Sequence, residues 1–178
     1  CVNGMSYHAR DGENSNSAII ATVDEDIYGK NILDGMRFQR KIEAKAYKLA
    51  DGKVPVQKYI DYKNNETSKE FGDIKPSVEG SYQASNLRGL YPEVIEEIII
   101  EAIENMGKKI HGFNDDDAIL SGVETRSSSP IKMLRDEENK SDGIKNLYVI
   151  GEGSGFAGGI VSSAIDGIKT AENILKRK

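Results

Sequence analysis

Residues 146–167, NLYVIGEGSGFAGGIVSSAIDG, decide the fold of this chain. The apolar, β-branched run Asn146–Ile150 predicts a buried strand. A helical period follows and predicts a helix over Gly158–Lys176. Its predicted apolar face comprises Ile160, Val161, Ala164, Ile165, Ile168, Ala171, Ile174 and Leu175. Between these two elements, residues 153–158 match the pattern G-x-G-x-x-G in the context that the pattern requires.

The segment Gly151–Gly159, which we call the glycine junction, is typical of a turn that binds a nucleotide. A helix N-terminus presents unpaired N–H groups and a partial positive charge, and glycine lets a ligand approach without meeting a Cβ atom. A phosphate, a pyrophosphate or a flavin carbonyl is therefore the expected guest. The alternative is a tight turn whose glycines serve packing only. Glu152 either accepts hydrogen bonds from ligand hydroxyls or is an exposed or capping carboxylate.

The junction supplies only half of a dinucleotide-binding unit. Such a unit is βαβ, with an acidic residue at the end of a second strand about 20 residues after the glycines. The sequence ends at Lys178, 20 residues after Gly158, and offers no second strand. We therefore expect a terminal strand–turn–helix whose other half comes from elsewhere, and we disfavour an NAD(P)-binding half.

Composition excludes several function classes. The 178 residues carry a net charge of −5, which argues against nucleic acid and anionic membranes as partners. One cysteine cannot form an internal disulfide, and no apolar run approaches the ~18 residues of a membrane-spanning helix. We expect a cytoplasmic protein. Because the sequence begins at Cys1 without an initiator Met, we expect a processed product or a piece of something longer.

The remaining periodicities predict alternating short strands and helices. Residues 64–84 are polar and predict an irregular connection. Pro55 restricts its strand to a sheet edge or to a strand start. The predicted helices are Gly35–Ala50 and Pro92–Met106, and the predicted strands are Ser17–Val23, Val54–Tyr62, Ile119–Thr125 and Pro130–Leu134.

The polar segment Glu124–Pro130 lies between two predicted strands. Arg126 could hold a carboxylate or phosphate through two hydrogen bonds, or it could form a structural ion pair with Glu124. Ser127, Ser128 and Ser129 have no His or Lys partner at a catalytic spacing, so we do not interpret them as nucleophiles. No metal site is predicted, because Asp115–Asp117 lacks EF-hand spacing and is typical of a solvated loop.

Several motifs together resemble the C-terminal half of bacterial FAD-dependent dehydrogenases, the NAD(FAD)-utilising dehydrogenase family. The resemblance runs from end to end, and the two C-terminal motifs are its most specific part. It rests on Gly122–Arg135, Leu147–Ile160, Ser163–Gly167, Asn3–Ser6, Arg10–Gly12, Asn16–Ala18 and Phe38–Arg40.

The resemblance implies an α+β or α/β fold, namely a partial FAD-binding, Rossmann-like lobe with an inserted mixed α/β domain. Residues 1–25 and 119–178 would be the returning part of the FAD domain, and residues 26–118 the inserted domain. The missing N-terminal half, which carries the primary FAD fingerprint, would be the partner. Alone, the fragment is expected to bind FAD weakly or not at all and to be inactive.

By resemblance, the parent is a flavin-dependent oxidoreductase acting on an unknown small molecule, with no catalytic residue assignable. Gly151 and Glu152 would lie beside the ribityl chain or pyrophosphate, and Ala157, Gly158 and Gly159 would donate N–H groups to the flavin pyrimidine edge. Arg126 and Ser127–Ser129 would lie near the flavin or substrate pocket. The implied cofactor-binding set is Gly151, Glu152, Gly153, Gly155, Ala157, Gly158 and Gly159. The alternative is a non-catalytic module that binds a nucleotide or phosphoanion, or an interaction domain.

Overall fold

The computed structural model describes residues 2, 4 and 6–176. The motif that includes Asn3 and Met5 therefore lies partly outside the described residues, as does the basic end at Arg177 and Lys178. The helices are α1 (Glu25–Tyr28), α2 (Asp34–Leu49), α3 (Tyr59–Asn64), α4 (Glu93–Gly107) and α5 (Ile160–Leu175); the strands are β1 (Val54–Lys58), β2 (Tyr82–Ala84) and β3 (Ile119–Ser121). This is a mixed α+β fold, as the α+β alternative predicted.

The sheet is small and mixed, with the order β2-β1-β3. Strand β1 runs parallel to β2, pairing Val56 with Ala84, and antiparallel to β3, pairing Val56 with Ser121. The prediction that Pro55 restricts its strand holds only in part, because β1 is central. Pro55 is tolerated at the second residue of β1, where its carbonyl still accepts a hydrogen bond from Gly122 N–H at 3.1 Å.

The chain divides into two compact units. Unit 1 comprises Cys1–Asp24 and Gln39–Thr125, and unit 2 comprises Glu25–Phe38 and Arg126–Lys178. This division is a description of packing. The proposed boundaries of a returning flavin lobe and an inserted domain stay a prediction.

Unit 1 has an apolar core built on the sheet and on two amphipathic helices. The core side chains are Ile42, Ala46, Ala50, Val56, Tyr59, Tyr62, Leu87, Leu90, Ile95, Ile103 and Val123. The 3.6-residue period predicted α2 and α4 because each buries one stripe against this core. Helix α4 begins after Pro92, which lacks an N–H group and suits a helix start.

Buried polar groups fix the loops of unit 1. Gln57 on β1 is fully buried; it accepts a hydrogen bond from Leu87 N–H at 2.8 Å and donates to Asn86 Oδ1 and to the carbonyl of Glu66. Residues 64–84 form little regular structure, as predicted, apart from the last residue of α3 and the strand β2. The amide of Gln57 therefore fastens both ends of this connection to the sheet.

Five predicted strands are wrong in whole or in part, including Ile119–Thr125, of which only Ile119–Ser121 forms a strand. Ser17–Val23 and Pro130–Leu134 form no strand, and the strand predicted over Val54–Tyr62 gives way to α3 after Lys58. Asn146–Ile150 forms only a single antiparallel bridge, between Tyr148 and Lys140. Apolar β-branched runs favour strands, but a strand forms only where a neighbour satisfies its N–H and C=O groups.

Acid sensitivity of unit 1 tests one of its polar contacts. Hydrogen bonds from Lys63 Nζ (2.6 Å), Tyr59 Oη (2.8 Å) and Asn114 Nδ2 (3.0 Å) lower the pKa of Glu104 from 4.5 to about 2. Because the pKa is lower in the folded state, this carboxylate stabilises unit 1 above its unfolded pKa, and that contribution is lost as the pH falls from about 4.5 towards 2. We expect Glu104→Gln to flatten the decline in unfolding free energy over this interval, measured by urea unfolding at a series of pH values.

Glu101→Gln is the matched control, since Glu101 is an exposed glutamate on the same helix. It should retain the wild-type pH profile. An unchanged slope in Glu104→Gln would contradict the interpretation.

Candidate functional site

The glycine junction lies in unit 2 and is a tight, hydrogen-bonded turn. Residues Glu152–Ser154 form one 3₁₀ turn, and α5 begins five residues after Gly155. Gly155 N–H donates to Glu152 O at 2.9 Å, and Ser154 Oγ donates to Gly151 O at 2.7 Å. The predicted turn and helix are present, whereas the predicted strand before them is replaced by bridged loop segments.

Two glycines of the junction are required by its backbone. Gly151 has φ +71° and Gly155 has φ +80°, in the left-handed region that L side chains rarely adopt. At Gly155 an added Cβ atom would lie 2.5 Å from the carbonyl oxygen of Ile131 and 2.9 Å from Lys132 Cα. For these two positions the packing alternative accounts for glycine without any ligand.

Two other glycines are not explained by packing. A Cβ atom added to Gly153 or Gly158 would meet no atom within 4 Å, and neither backbone has a positive φ. Gly158 is exposed and immediately precedes the N-terminal turn of α5. Open space above an unencumbered backbone is what a ligand that approaches the chain closely needs.

Within the described chain, hydrogen-bond donors without a protein partner in the helix occur at the start of α5 and next to Gly151. The first N–H groups of α5 have no acceptor inside the helix, although Gly159 N–H donates to Ser162 Oγ at 3.1 Å. Ser163 Oγ is buried and has no hydrogen-bond partner among the described residues. This hydroxyl faces the turn, because a Cβ atom on Gly151 would lie 3.9 Å from it. A buried polar atom without a partner costs free energy, so the junction is suited to a ligand that carries hydrogen-bond acceptors.

A carboxylate on α5 connects the segments around the junction. Asp166 binds Arg135 in bidentate geometry, with Nη1–Oδ2 2.8 Å and Nη2–Oδ1 2.9 Å, and accepts a hydrogen bond from Gly151 N–H at 2.8 Å. These contacts lower the pKa of Asp166, chiefly through Arg135. Arg135 Nη1 also donates to Val149 O at 2.7 Å, and Asn139 Nδ2 donates to Thr170 Oγ1. The carboxylate stays ionised and holds α5, the turn and the bridged loop together.

Phe156 lies in a cationic environment within the junction. The guanidinium of Arg135 is 3.7 Å from the ring centroid, and Lys132 Nζ is 4.6 Å from it. Such cation–π contacts stabilise an exposed aromatic ring by about 0.5–1 kcal/mol each. The ring of Phe156 therefore packs against the same guanidinium group whose Nη atoms bind Asp166.

The two faces of α5 are reversed relative to the sequence prediction. Its polar and small residues face inward, since Thr170 is 3% exposed and Ser163, Asp166 and Gly167 are half-buried. The predicted apolar face is exposed, with Ile160 at 92%, Val161 at 70% and Ile168 at 60%. In the described chain, α5 thus presents an uncovered apolar stripe to solvent.

The polar segment before the junction is only partly brought to it. Ser129 Oγ donates to Ile131 O at 2.8 Å and lies 3.2 Å from Gly153 O, so Ser129 contacts the turn. Arg126, Ser127 and Ser128 are exposed. Glu152 is half-buried within the 3₁₀ turn. A pocket around these side chains stays a prediction.

Sequence reasoning missed Arg135, Asn139, Ser163, Asp166 and Thr170. The usable signal was the stripe of polar and small residues at positions 163, 166, 167 and 170, which has helical spacing. Within residues 2, 4 and 6–176, no three His, Cys, Asp or Glu side chains converge as a metal would require. Asp115 and Asp117 make local contacts instead, Asp117 Oδ1 accepting a hydrogen bond from Lys58 Nζ at 3.1 Å.

Comparison with known proteins identifies the family of the chain. The family described as FAD-dependent protein, C-terminal domain-like, matches residues 1–127. The chain belongs to this family. The resemblance drawn from the sequence motifs is thereby confirmed as a C-terminal portion of FAD-dependent proteins. The glycine junction lies beyond the matched residues, so its role has to be argued from its own geometry.

A protein of Clostridium beijerinckii, named as an uncharacterized protein, is 46% identical to this chain over 178 residues. The alignment covers 98% of this chain and 33% of that protein, so the chain spans about a third of the length of this relative. Among the residues that the structure describes, no helix is long and apolar enough to cross a membrane.

Two glycine substitutions separate the structural glycines from the open ones. Gly155→Ala should lower the free energy of unfolding by at least about 1–2 kcal/mol, because its φ is left-handed and its Cβ would meet Ile131. Gly158→Ala, in open space, should change it by less than about 0.5 kcal/mol. Urea unfolding of both variants measures the difference. Equal stability of the two would contradict the assignment of Gly155 as a structural glycine.

Proposed function

We propose that this chain is the C-terminal part of an FAD-dependent oxidoreductase of the dehydrogenase type and that its glycine junction forms one side of the flavin site. The observation that carries the proposal is that the same junction contains the open backbone of Gly158 and, next to Gly151, the unpartnered hydroxyl of Ser163, in a chain that belongs to an FAD-dependent family. FAD would supply the electron-transfer chemistry, and the protein would bind and orient it. The substrate is a small molecule whose class the residues do not specify.

The residues of the junction fit a flavin nucleotide by their hydrogen-bonding chemistry. The N–H groups at Ala157, Gly158 and the start of α5 are donors suited to the carbonyl oxygens of the flavin pyrimidine edge. Glu152 is an acceptor suited to ribityl or ribose hydroxyls, beside the backbone of Gly151 and Gly153. The helix N-terminus also favours negative charge, which a reduced flavin places at that edge. We assign Arg126, Ser127, Ser128 and Ser129 to the neighbouring pocket.

The exposed apolar face of α5 supports a second part of the proposal, the partner. Monomeric proteins rarely leave a contiguous apolar stripe uncovered. We propose that the N-terminal, FAD-fingerprint half of a longer protein packs on Val161, Ile165 and Ile168. The length of the Clostridium beijerinckii relative, about three times the aligned part, is consistent with such a half. This arrangement would complete the Rossmann-like lobe that the sequence motifs imply.

The alternative is a non-catalytic module that binds a phosphoanion or another protein through the same surfaces. The exposed helix face favours this reading as much as the first one. The flavin content of the purified protein separates these two functions, because only the flavoprotein would retain a flavin.

The flavin proposal predicts a coloured protein. Purified full-length protein that contains this chain should be yellow with flavin absorbance, and Gly158→Val should remove most of the flavin, because its side chain fills the space over the junction. Glu152→Ala should weaken flavin retention to a lesser degree, by about tenfold for one lost hydrogen bond to a charged group. Flavin released by denaturation and quantified per protein measures both.

Gly143→Val is the matched control, since Gly143 is also in unit 2, has no positive φ and has no atom within 4 Å of an added Cβ. It should retain wild-type flavin content. A colourless wild-type protein that gains no flavin on titration with FAD would overturn the proposal. Full flavin content in the Gly158→Val and Glu152→Ala variants would show that the glycine junction is a structural turn and not the flavin site.

The partner proposal predicts opposite effects in two contexts. In this chain alone, Ile165→Asp should reduce the fluorescence of a hydrophobic dye and have a small effect on stability, because Ile165 is 46% exposed. In the full-length protein it should lower the free energy of unfolding by at least about 2–5 kcal/mol, the range for truncating a buried isoleucine. Leu134→Asp, at another exposed apolar residue of unit 2, is the control. Equal effects of Ile165→Asp in both contexts would contradict burial of this face.

A further inference from the structure

The carboxylate of Asp166 contacts three residues around the glycine junction, namely Gly151, Arg135 and Asn139. It lies in the second turn of α5, on the inward face, with 15% of its side chain exposed. One oxygen accepts hydrogen bonds from Gly151 N–H (2.8 Å) and Arg135 (2.8 Å), and the other accepts from Arg135 (2.9 Å) and lies 3.4 Å from Asn139 Nδ2. All these contacts are to the protein's own groups.

We propose that Asp166 is a positioning residue for the flavin site: by accepting the Gly151 N–H while held by Arg135, it fixes the glycine junction in the conformation that receives the cofactor. The inference rests on the proposed flavin function and deepens it. Asp166 does not touch the ligand in this assignment. It acts through the backbone of Gly151.

The geometry supports this assignment because Gly151 is held at φ +71° and ψ −160°, a backbone conformation that is essentially restricted to glycine. Glycine populates many other conformations, so sequence alone does not select this one. The hydrogen bond from Gly151 N–H to a carboxylate on α5 selects it, and it sets the distance between the turn and the helix N-terminus at the same time. The unpartnered Ser163 hydroxyl lies one turn before Asp166 on the same face, so it is placed by the same contact.

Arg135 holds the carboxylate of Asp166 in the orientation that accepts the Gly151 N–H group. Its guanidinium occupies both oxygens of Asp166, donates to Val149 O, and is covered by the ring of Phe156. A bidentate arginine pair is directional as well as strong. The orientation of Asp166 is therefore set before any cofactor arrives.

The test compares two substitutions of Asp166 in the full-length protein. Asp166→Asn keeps an oxygen that can accept the Gly151 N–H, whereas Asp166→Ala removes it. Asp166→Ala should weaken FAD binding roughly tenfold or more, the change expected for one lost charge-assisted hydrogen bond, and Asp166→Asn should weaken it less. The readouts are FAD titration, the visible circular dichroism of bound flavin, amide hydrogen exchange at Gly151, and the free energy of unfolding.

Glu104→Gln is the matched control for general destabilisation. Glu104 is likewise a carboxylate with three side-chain donors, but it belongs to unit 1. It should lower stability at neutral pH without changing FAD affinity, flavin dichroism or exchange at Gly151. If Asp166→Ala does not fold, the test uses Arg135→Met instead. This variant removes the guanidinium that orients Asp166 and retains the carboxylate, and it should alter the flavin dichroism.

The outcomes separate the two proposals. Wild-type protein that binds no FAD overturns the flavin function and this inference with it. Wild-type protein that binds FAD, with Asp166→Ala binding it equally tightly and exchanging no faster at Gly151, overturns the positioning role alone. Loss of affinity in both Asp166→Ala and Glu104→Gln in proportion to lost stability also overturns it. Graded loss from Asn to Ala, with Glu104→Gln unchanged, supports it.

Discussion

The hydrogen-bonded ion pair of Asp166 with Arg135 is the contact on which the second unit depends. Unit 1 is held by an apolar core of eleven well-buried side chains, whereas the described part of unit 2 buries one apolar side chain to the same degree, Val149. With so little apolar burial, the arrangement of unit 2 rests on directional polar contacts. Such an ion pair adds little net stability compared with apolar packing, but its bidentate hydrogen bonds are directional. The described part of unit 2 thus has a small apolar core, and polar contacts link its segments.

The same contact determines how the glycines divide their roles. Gly151 and Gly155 serve the turn, since one is held through its N–H by Asp166 and the other lies against the carbonyl of Ile131. Gly153 and Gly158 serve no packing contact within 4 Å of a Cβ position. Packing therefore accounts for Gly151 and Gly155, whereas ligand binding at Gly153 and Gly158 stays a prediction. The glycine pattern in the sequence does not distinguish these two groups of glycines, because it shows neither the backbone conformation nor the space around each residue.

How far the sequence could predict the structure depended on where each element finds its partner. The periods of α2, α4 and α5 were read correctly because a helix satisfies its own backbone. The composition of Ser17–Val23 and Asn146–Ile150 predicts strands, yet a strand needs neighbouring strands that local composition does not supply. The candidate site was found at the junction because glycines are visible in sequence. Asp166 was missed because one acidic residue on an apolar helix is typical of a solvent-facing position.

The reversal of α5 connects these observations into one argument. A helix with an apolar stripe buries that stripe when it packs in a domain of its own. Here the inward face is polar, because Asp166 and Thr170 have their partners there, and the apolar residues Val161 and Ile168 face solvent. Two faces with different requirements on one helix are what a shared element needs, one face for its own unit and one for another body. If the proposed N-terminal half packs on the apolar face, the junction at the start of α5 lies where the two halves meet, as the proposed flavin site requires.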